Sequence, residues 1–200
     1  KPYANAWLHC GMIRINGEKM SKSLNNFFTI RDVLEKYQPE VVRYLLVSSH
    51  YRSSINYSDD SLKEAKGALE RFYHALKGLP KVAASGGEAF VERFANAMND
   101  DFGTPEACAV LFDLVREINR LRDTDVDAAA GLAGRLRELG GLLGVLQLDS
   151  DEFLQAGAAG RVDAARVDTL IAARLAAGAK KDWAESDRIR DELTAMGVVL

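Results

Sequence analysis

The chain has 200 residues, of which 48% are apolar and 28% charged, so it can form one large or two small folded units with apolar cores. Its net charge of -3 excludes a protein that binds nucleic acid through overall positive charge, and any RNA contact would need a local cationic patch. No apolar stretch approaches the roughly 20 residues of a membrane-spanning helix, which predicts a soluble, cytoplasmic protein with no membrane partner.

The first part of the chain predicts strands and loops that give way to helices. Residues 1–28 mix short apolar runs with glycines and asparagines, a composition typical of strands and turns. Thr29 predicts a helix start because Asp32 can return its capping bond, and Pro39 predicts the start of the next helix. The apolar side of that helix comprises Val41, Val42, Leu45 and Leu46.

The middle of the chain predicts an antiparallel bundle of about four or five helices. Ser58 is a good N-cap for a long helix, residues 78–89 predict a surface connection between helices, and Thr104-Pro105 predicts another helix start. Apolar residues recur at helical spacing in three groups. These groups are Leu62, Ala65, Leu69, Phe72 and Leu76; Leu111, Leu114, Val115, Ile118 and Leu121; and Leu132, Leu136, Leu139, Leu143 and Leu146.

The last fifty residues predict a linker and a small helical hairpin. The Ala/Gly stretch at 156–160 has little to bury and predicts the linker. One helix of the hairpin is marked by Val167, Leu170, Ile171 and Leu175. The other is marked by Trp183, Ile189, Leu193 and Met196 and is expected to stop at Gly197.

The two cysteines predict no metal site. Cys10 and Cys108 lie far apart, and neither has a Cys or His neighbour at metal-ligand spacing, so both are expected to be reduced residues with packing roles. The chain also begins Lys1-Pro2-Tyr3 and enters a patterned segment at once, which predicts a fragment of a longer protein.

The segment with the clearest chemistry is Gly17-Glu18-Lys19-Met20-Ser21-Lys22-Ser23-Leu24. Two lysines three residues apart, interleaved with two hydroxyls, place compact positive charges and small donors around an anion. When ATP activates an acid, negative charge builds on the departing pyrophosphate, and mobile lysines can neutralise it. Gly17 and Asn25-Asn26 supply backbone freedom on either side of this loop.

The K-M-S-K-S letters of this loop resemble the signature loop of class I aminoacyl-tRNA synthetases. The surrounding residues resemble the cysteinyl-tRNA synthetase family in particular, from one end of the chain to the other. These residues are Trp7–Met12, Asn26–Leu34, Val42–Tyr44, His50–Ser53, Asn56–Ser58, Asp100–Pro105 and Lys181–Trp183.

The resemblance implies a mainly α chain in three parts. Residues 1–37 would be the end of a Rossmann-type catalytic domain with the K-M-S-K-S loop, residues 38–150 a helical tRNA-binding bundle, and residues 151–200 the linker and a truncated anticodon-binding hairpin. The implied activity is cysteine–tRNA ligation by a monomer whose partners are cysteine, ATP with Mg²⁺ and tRNA(Cys). Lys19 and Lys22 would be catalytic. ATP would contact Lys19, Met20, Ser21, Lys22 and Ser23, chiefly Lys22.

Several features of the family are missing or altered. None of the three histidines lies in the family's H-I-G-H signature, so half of the active site is expected outside this chain. The family's zinc, which reads the cysteine thiol, is likewise expected to have its ligands upstream. Asn25 replaces a usual glycine, a mild change because asparagine tolerates left-handed backbone.

The C-terminal hairpin resembles the family's anticodon reader through Arg174, Lys181, Trp183, Asp187 and Arg190. A stacking surface beside hydrogen-bonding and cationic side chains suits unstacked bases. Two alternatives remain open here. Trp183 can instead fill the hairpin core with Asp182 as a helix cap, and Asp187 and Arg190 can either reach outward or pair with each other. Gly178 stands where relatives often have arginine.

Two further groups of residues each have two possible roles. Trp7 and His9 either line the catalytic pocket or pack under the loop. Arg31, Arg43 and Arg52 either contact the inner corner of the tRNA or are solvated or ion-paired.

Two other functions compete with tRNA charging. A tRNA-binding module without catalysis would explain the helices but not the complete lysine-rich loop. A related cysteine ligase of the mycothiol pathway would share the activation chemistry without tRNA, and the residues of the hairpin favour a tRNA partner.

Overall fold

The computed structural model of the chain describes residues 3–24, 26, 29–155, 164–180 and 182–195, without the side chains at 22, 164, 165 and 195. These residues are mainly helical with a small mixed sheet near the start, as predicted. The strands are β1 (Ile13–Ile15), β2 (Glu18–Lys19) and β3 (Ile55–Tyr57). The helices are α1 (Ile30–Leu34), α2 (Pro39–Val47), α3 (Asp59–Leu76), α4 (Glu88–Asn99), α5 (Thr104–Leu121), α6 (Val126–Leu142), α7 (Ser150–Gln155), α8 (Ala164–Ala179) and α9 (Trp183–Ala195).

The chain forms two compact units, residues 1–150 and 151–200. The division into three domains with boundaries after 37 and 150 stays a prediction. Among the helices that the structure describes, none has the length and apolar character needed to cross a bilayer.

The small sheet has the order β2-β1-β3. Asn16 and Gly17 join β1 to β2, and both have positive φ, 49° and 83°, as an Asn-Gly hairpin turn requires. β3 pairs with β1 in parallel, so α1 and α2 lie in the crossover between the two strands. The hairpin therefore presents the residues that follow β2 at one edge of the sheet.

Local capping signals place the first helices. Thr29 and Asp32 form the predicted capping box, in which the Thr29 amide donates to Asp32 Oδ2 at 2.6 Å. Pro39 opens α2, and the Ser58 hydroxyl caps α3 by accepting the Ser61 amide at 3.1 Å. These three predictions are confirmed.

Helix α5 is the centre of the bundle and packs against α3, α4 and α6. The core combines fully buried side chains from three of these helices, namely Leu62, Leu69, Phe72, Leu111, Leu114, Ile118 and Leu136. The connection before α4 lies directly over α6. A Cβ at Gly134 would come within 2.8 Å of the Val82 carbonyl oxygen, so glycine allows this close approach.

The predicted apolar face of α6 extends beyond the helix itself. The helix ends at Leu142, and a Schellman motif closes it: the Gly144 amide donates to the Gly141 carbonyl and the Val145 amide to the Gly140 carbonyl, each at 3.0 Å. Leu146, which was expected on the helix face, lies beyond this turn with a φ of 62°. It reaches the core by folding back over Gly140.

In the second unit, α8 and α9 pack together as the predicted hairpin. Ala177, Ile189 and Leu193 are buried, whereas Ile171 and Leu175 are exposed. The predicted apolar face of α8 is therefore wrong at those two positions, because the contact with α9 turns Ala177 inward. The predicted linker at 156–160, Met196 and the stop at Gly197 lie outside the described residues.

Candidate functional site

We call residues 17–24 the lysine loop. It leaves β2 at Lys19 and enters a 3₁₀ turn at Lys22–Leu24. The Gly17 amide donates to Asn56 Oδ1 at 2.7 Å, which ties the start of the loop to β3. The loop is therefore supported by the sheet at its base.

Asn26 braces the lysine loop from its far side. Its Oδ1 accepts the Ser21 amide at 2.7 Å, and its Nδ2 donates to the Lys19 carbonyl at 3.2 Å. The sequence indicated only backbone freedom at Asn25-Asn26; Asn25 lies outside the described residues, and Asn26 acts through its side-chain amide. An amide suits this bridge because it both donates and accepts.

The hydroxyls of the lysine loop pair with each other. The oxygens of Ser21 and Ser23 lie 2.6 Å apart, and the Ser23 amide donates to Ser21 Oγ at 3.2 Å. This small network shapes the turn in which Lys22 sits. One of the two hydroxyl hydrogens is used in this pair, and the other is left to donate elsewhere.

Two of the remaining predicted ATP contacts differ in their surroundings: Met20 packs against helices, whereas Lys19 is exposed. Met20 is half-buried and lines an apolar cavity of about 110 Å³ with Val33 and Leu45, so it anchors the loop to the helices beneath it. Lys19 is exposed and has no ion-pair partner among the described residues. The Lys22 side chain lies outside what the structure describes. The roles of these residues toward ATP stay predictions.

A contact that we call the clasp joins the turn after α2 to the turn before α5. Asp101 accepts hydrogen bonds from the Tyr51 hydroxyl at 2.7 Å and from Arg52 at 3.1 Å, and these bonds hold the pKa of its carboxyl below the ordinary value. His50 Nε2 lies 3.0 Å from the Asp101 backbone oxygen. Arg52 is thus ion-paired, the second of its two predicted alternatives.

The clasp holds unfavourable backbone geometry. Asp101 and Phe102 have φ of 53° and 56°, a left-handed conformation that costs side chains other than glycine free energy. Sequence reasoning quoted both segments for their family resemblance and singled out Arg52, without linking it to Asp101. Their contact could not be read from periodicity, because the partners lie about fifty residues apart.

A buried carboxylate joins α2 to the end of the bundle. Glu40 accepts the Tyr73 hydroxyl at 2.8 Å and the Leu146 amide at 2.5 Å, and only 8% of the residue is exposed. The Tyr73 oxygen also accepts the Leu148 amide at 3.2 Å. Burial raises the pKa of Glu40, an effect that the two hydrogen bonds oppose. Sequence reasoning missed this network.

The residues before the loop are more exposed than expected. Trp7 is 69% exposed and stacks on Tyr3 with ring centroids 6.1 Å apart, and His9 is also exposed. Neither packs under the loop.

Cys10 is exposed, so its predicted packing role is wrong, whereas Cys108 is buried and its pKa is raised to about 11. Within the described residues, no group of three or more His, Cys, Asp or Glu side chains is placed to bind a metal.

In the C-terminal hairpin, Trp183 is 65% exposed at the start of α9 and does not fill the core. Asp182 caps α9 by accepting the Glu185 amide at 3.2 Å. Asp187 and Arg190 pair with each other at 2.9 Å. Arg174 is half-buried, and Lys181 lies outside the described residues. The hairpin therefore offers an exposed indole near a paired Asp–Arg couple.

Comparison with known families finds three matches along the chain. Residues 1–67 match the catalytic domain of class I (C) tRNA synthetases, residues 93–147 match the DALR domain, and residues 164–200 match the cysteinyl-tRNA ligase anticodon-binding domain. The matches are to parts of class I aminoacyl-tRNA synthetases.

Individual relatives indicate which family within this class the chain resembles. Over all 200 residues the chain is 84% identical to the cysteine–tRNA ligases of Pseudomonas entomophila L48 and Pseudomonas putida KT2440, and 83% identical to that of Pseudomonas fluorescens Pf0-1. The chain belongs to the cysteine–tRNA ligase family. It spans 44% of the length of these relatives.

Proposed function

We propose that this chain is the part of a cysteine–tRNA ligase that supplies the lysine loop and the tRNA-binding helices. The protein activates cysteine with ATP and transfers it to the 3′ end of tRNA(Cys). The observation that carries this proposal is the complete K-M-S-K-S loop, held at its base by Asn56 and braced from its far side by Asn26, in a chain of this family.

The loop acts on the leaving group of the activation step. The cysteine carboxylate attacks the α-phosphorus of ATP, and the bond to the bridging oxygen of pyrophosphate breaks. Negative charge that develops on pyrophosphate is neutralised by the ammonium groups of Lys19 and Lys22. The hydroxyl pair of Ser21 and Ser23 offers a donor nearby, and Met20 holds the loop against the helices.

ATP enters as its magnesium complex, and we propose no ligand for that ion in this chain. The described residues also offer no ligand set that fits zinc, so no step is derived through zinc. We expect a cytoplasmic monomer whose zinc and H-I-G-H residues come from other parts of the full-length protein.

The C-terminal hairpin is proposed to read the anticodon of tRNA(Cys) through Arg174, Lys181, Trp183, Asp187 and Arg190. The exposed indole of Trp183 can stack on an unstacked base, and the exposed side chains of Asp187 and Arg190 can hydrogen-bond to base edges. The anticodon-binding match at 164–200 supports a tRNA acceptor over the sugar amine of the mycothiol pathway.

The proposal is tested with the full-length protein. Purified enzyme should catalyse cysteine-dependent exchange between ATP and pyrophosphate and should charge tRNA(Cys) with cysteine. Exchange without charging of any tRNA would favour the sugar-amine ligase. Binding of tRNA without exchange would favour a non-catalytic module.

A further inference from the structure

The lysine loop leaves the sheet before it reaches Lys22. Strand pairing in β2 ends at Lys19, which lies opposite Arg14 of β1. Beyond this pair the chain continues through Met20 and Ser21 to the 3₁₀ turn that begins at Lys22. The position of the Lys22 backbone therefore depends on contacts outside the sheet.

The side chain of Asn26 supplies such contacts on both sides of Met20. Its Nδ2 donates to the Lys19 carbonyl at 3.2 Å, and its Oδ1 accepts the Ser21 amide at 2.7 Å. A residue of a neighbouring parallel strand would bond the same two backbone groups. The Asn26 amide thus extends the support of the sheet to Ser21, two residues beyond the end of β2.

The turn that carries Lys22 is closed onto Ser21. The Leu24 amide donates to the Ser21 carbonyl at 3.3 Å, and the Ser23 amide donates to Ser21 Oγ at 3.2 Å. The amide of Ser21 is bonded to Asn26, which is half-buried. Because the turn hangs on Ser21, a shift of Ser21 would move the backbone of the whole turn.

We propose that Asn26 is a positioning residue for Lys22 in the activation of cysteine. This inference rests on the proposed function, in which Lys22 neutralises the departing pyrophosphate. The stabilisation of a developing charge depends on where the opposite charge is held, and a misplacement of about 1 Å can cost about a hundredfold in rate. Asn26 acts through the backbone that carries Lys22 and makes no contact with the reacting atoms.

The test is ATP–pyrophosphate exchange by the full-length protein with Asn26→Ala. We expect kcat to fall about tenfold to a hundredfold, while KM for cysteine stays near the wild-type value because the loop acts on the leaving group. The thermal unfolding midpoint should hardly change, since the loop lies outside the bundle core.

A second variant, Asn26→Asp, keeps the size of the side chain. Its carboxylate can still accept the Ser21 amide, but it cannot donate to the Lys19 carbonyl and places a negative charge against that oxygen. We therefore expect kcat to fall in this variant as well. Wild-type kcat in either variant would overturn the inference.

A double-mutant cycle with Lys22→Ala separates positioning from a general structural role. If Asn26 acts through Lys22, adding Asn26→Ala to Lys22→Ala should slow exchange by less than about threefold. A general structural role would instead multiply the two single losses, and that result would overturn the inference.

The matched control is Asn96→Ala, which removes the same side chain at an exposed position of α4. Exchange by this variant should keep the wild-type kcat, and a loss equal to that of Asn26→Ala would overturn the inference. Absence of cysteine-dependent exchange in the wild-type protein would overturn the proposed function instead.

Discussion

Large apolar side chains are exposed in the segment before the lysine loop but buried in the helical bundle. Before the loop, Trp7, Leu8 and Met12 are exposed, and the described contacts of the loop itself are mostly polar. In the bundle, Leu69, Leu111 and Ile118 are fully buried. The comparison teaches that, among the described residues, the apolar burial that stabilises the fold is concentrated in the bundle. Substitutions in the two regions should therefore fail in different assays.

The largest effect on stability is expected in the bundle core. Leu69→Ala should lower the free energy of unfolding by about 2–5 kcal/mol, because it removes buried methyl groups and leaves a cavity. Urea unfolding followed by circular dichroism measures this change. The matched control is Leu142→Ala on α6, a 71% exposed position where the change should stay within about 0.5 kcal/mol. An equal loss of unfolding free energy at both positions would show that burial in the bundle core does not determine stability.

A smaller effect is expected at Glu40, which links α2 to the end of the bundle. Glu40→Ala leaves the Tyr73 hydroxyl and the Leu146 amide without their acceptor, and the loss should be about 1–3 kcal/mol. Urea unfolding at neutral pH measures it. An unchanged unfolding midpoint would show that solvent replaces the carboxylate at no cost.

The raised pKa of Glu40 also predicts a pH dependence. Because the folded state holds this proton more tightly than the unfolded chain, the Glu40 contribution to stability is fully present below the ordinary value of 4.5 and declines as pH rises through the raised pKa. Glu40→Gln cannot titrate. Unfolding free energies from about pH 4 upward should therefore fall in the wild type relative to Glu40→Gln, and parallel curves would contradict the raised pKa.

The smallest effect on folding is expected at the hairpin. Trp183→Ala should leave unfolding unchanged because the indole is exposed, yet it should weaken tRNA binding by about 1–3 kcal/mol if a base stacks there. Asp187→Ala and Arg190→Ala should also raise KM for tRNA. Pyrophosphate exchange without tRNA reports only the first step and should keep its rate. Normal charging by all three variants would make the hairpin a structural cap.

Sequence reasoning succeeded where the signal was local. Thr29, Pro39 and Ser58 mark helix starts through residues within three or four positions, and the periodic leucines of α3 and α5 predict their buried faces. Sequence reasoning failed where a residue's contacts are with partners far away in the sequence. Glu40 meets Leu146 across 106 positions, and Tyr51 meets Asp101 across 50, so no window of sequence reveals them. Leu146 was misplaced because Gly144 stops α6 before the apolar repeat ends.

The most direct test of the account is ATP–pyrophosphate exchange by the full-length protein with Lys22→Ala. The charge of Lys22 is proposed to act only as pyrophosphate leaves. Its loss should therefore raise the activation free energy by about 2.7–4 kcal/mol, which slows exchange on the order of a hundredfold to a thousandfold. The cysteine concentration for half-maximal rate and the unfolding midpoint should hardly change. Exchange at the wild-type rate would remove Lys22 from the mechanism and contradict the role assigned to the lysine loop.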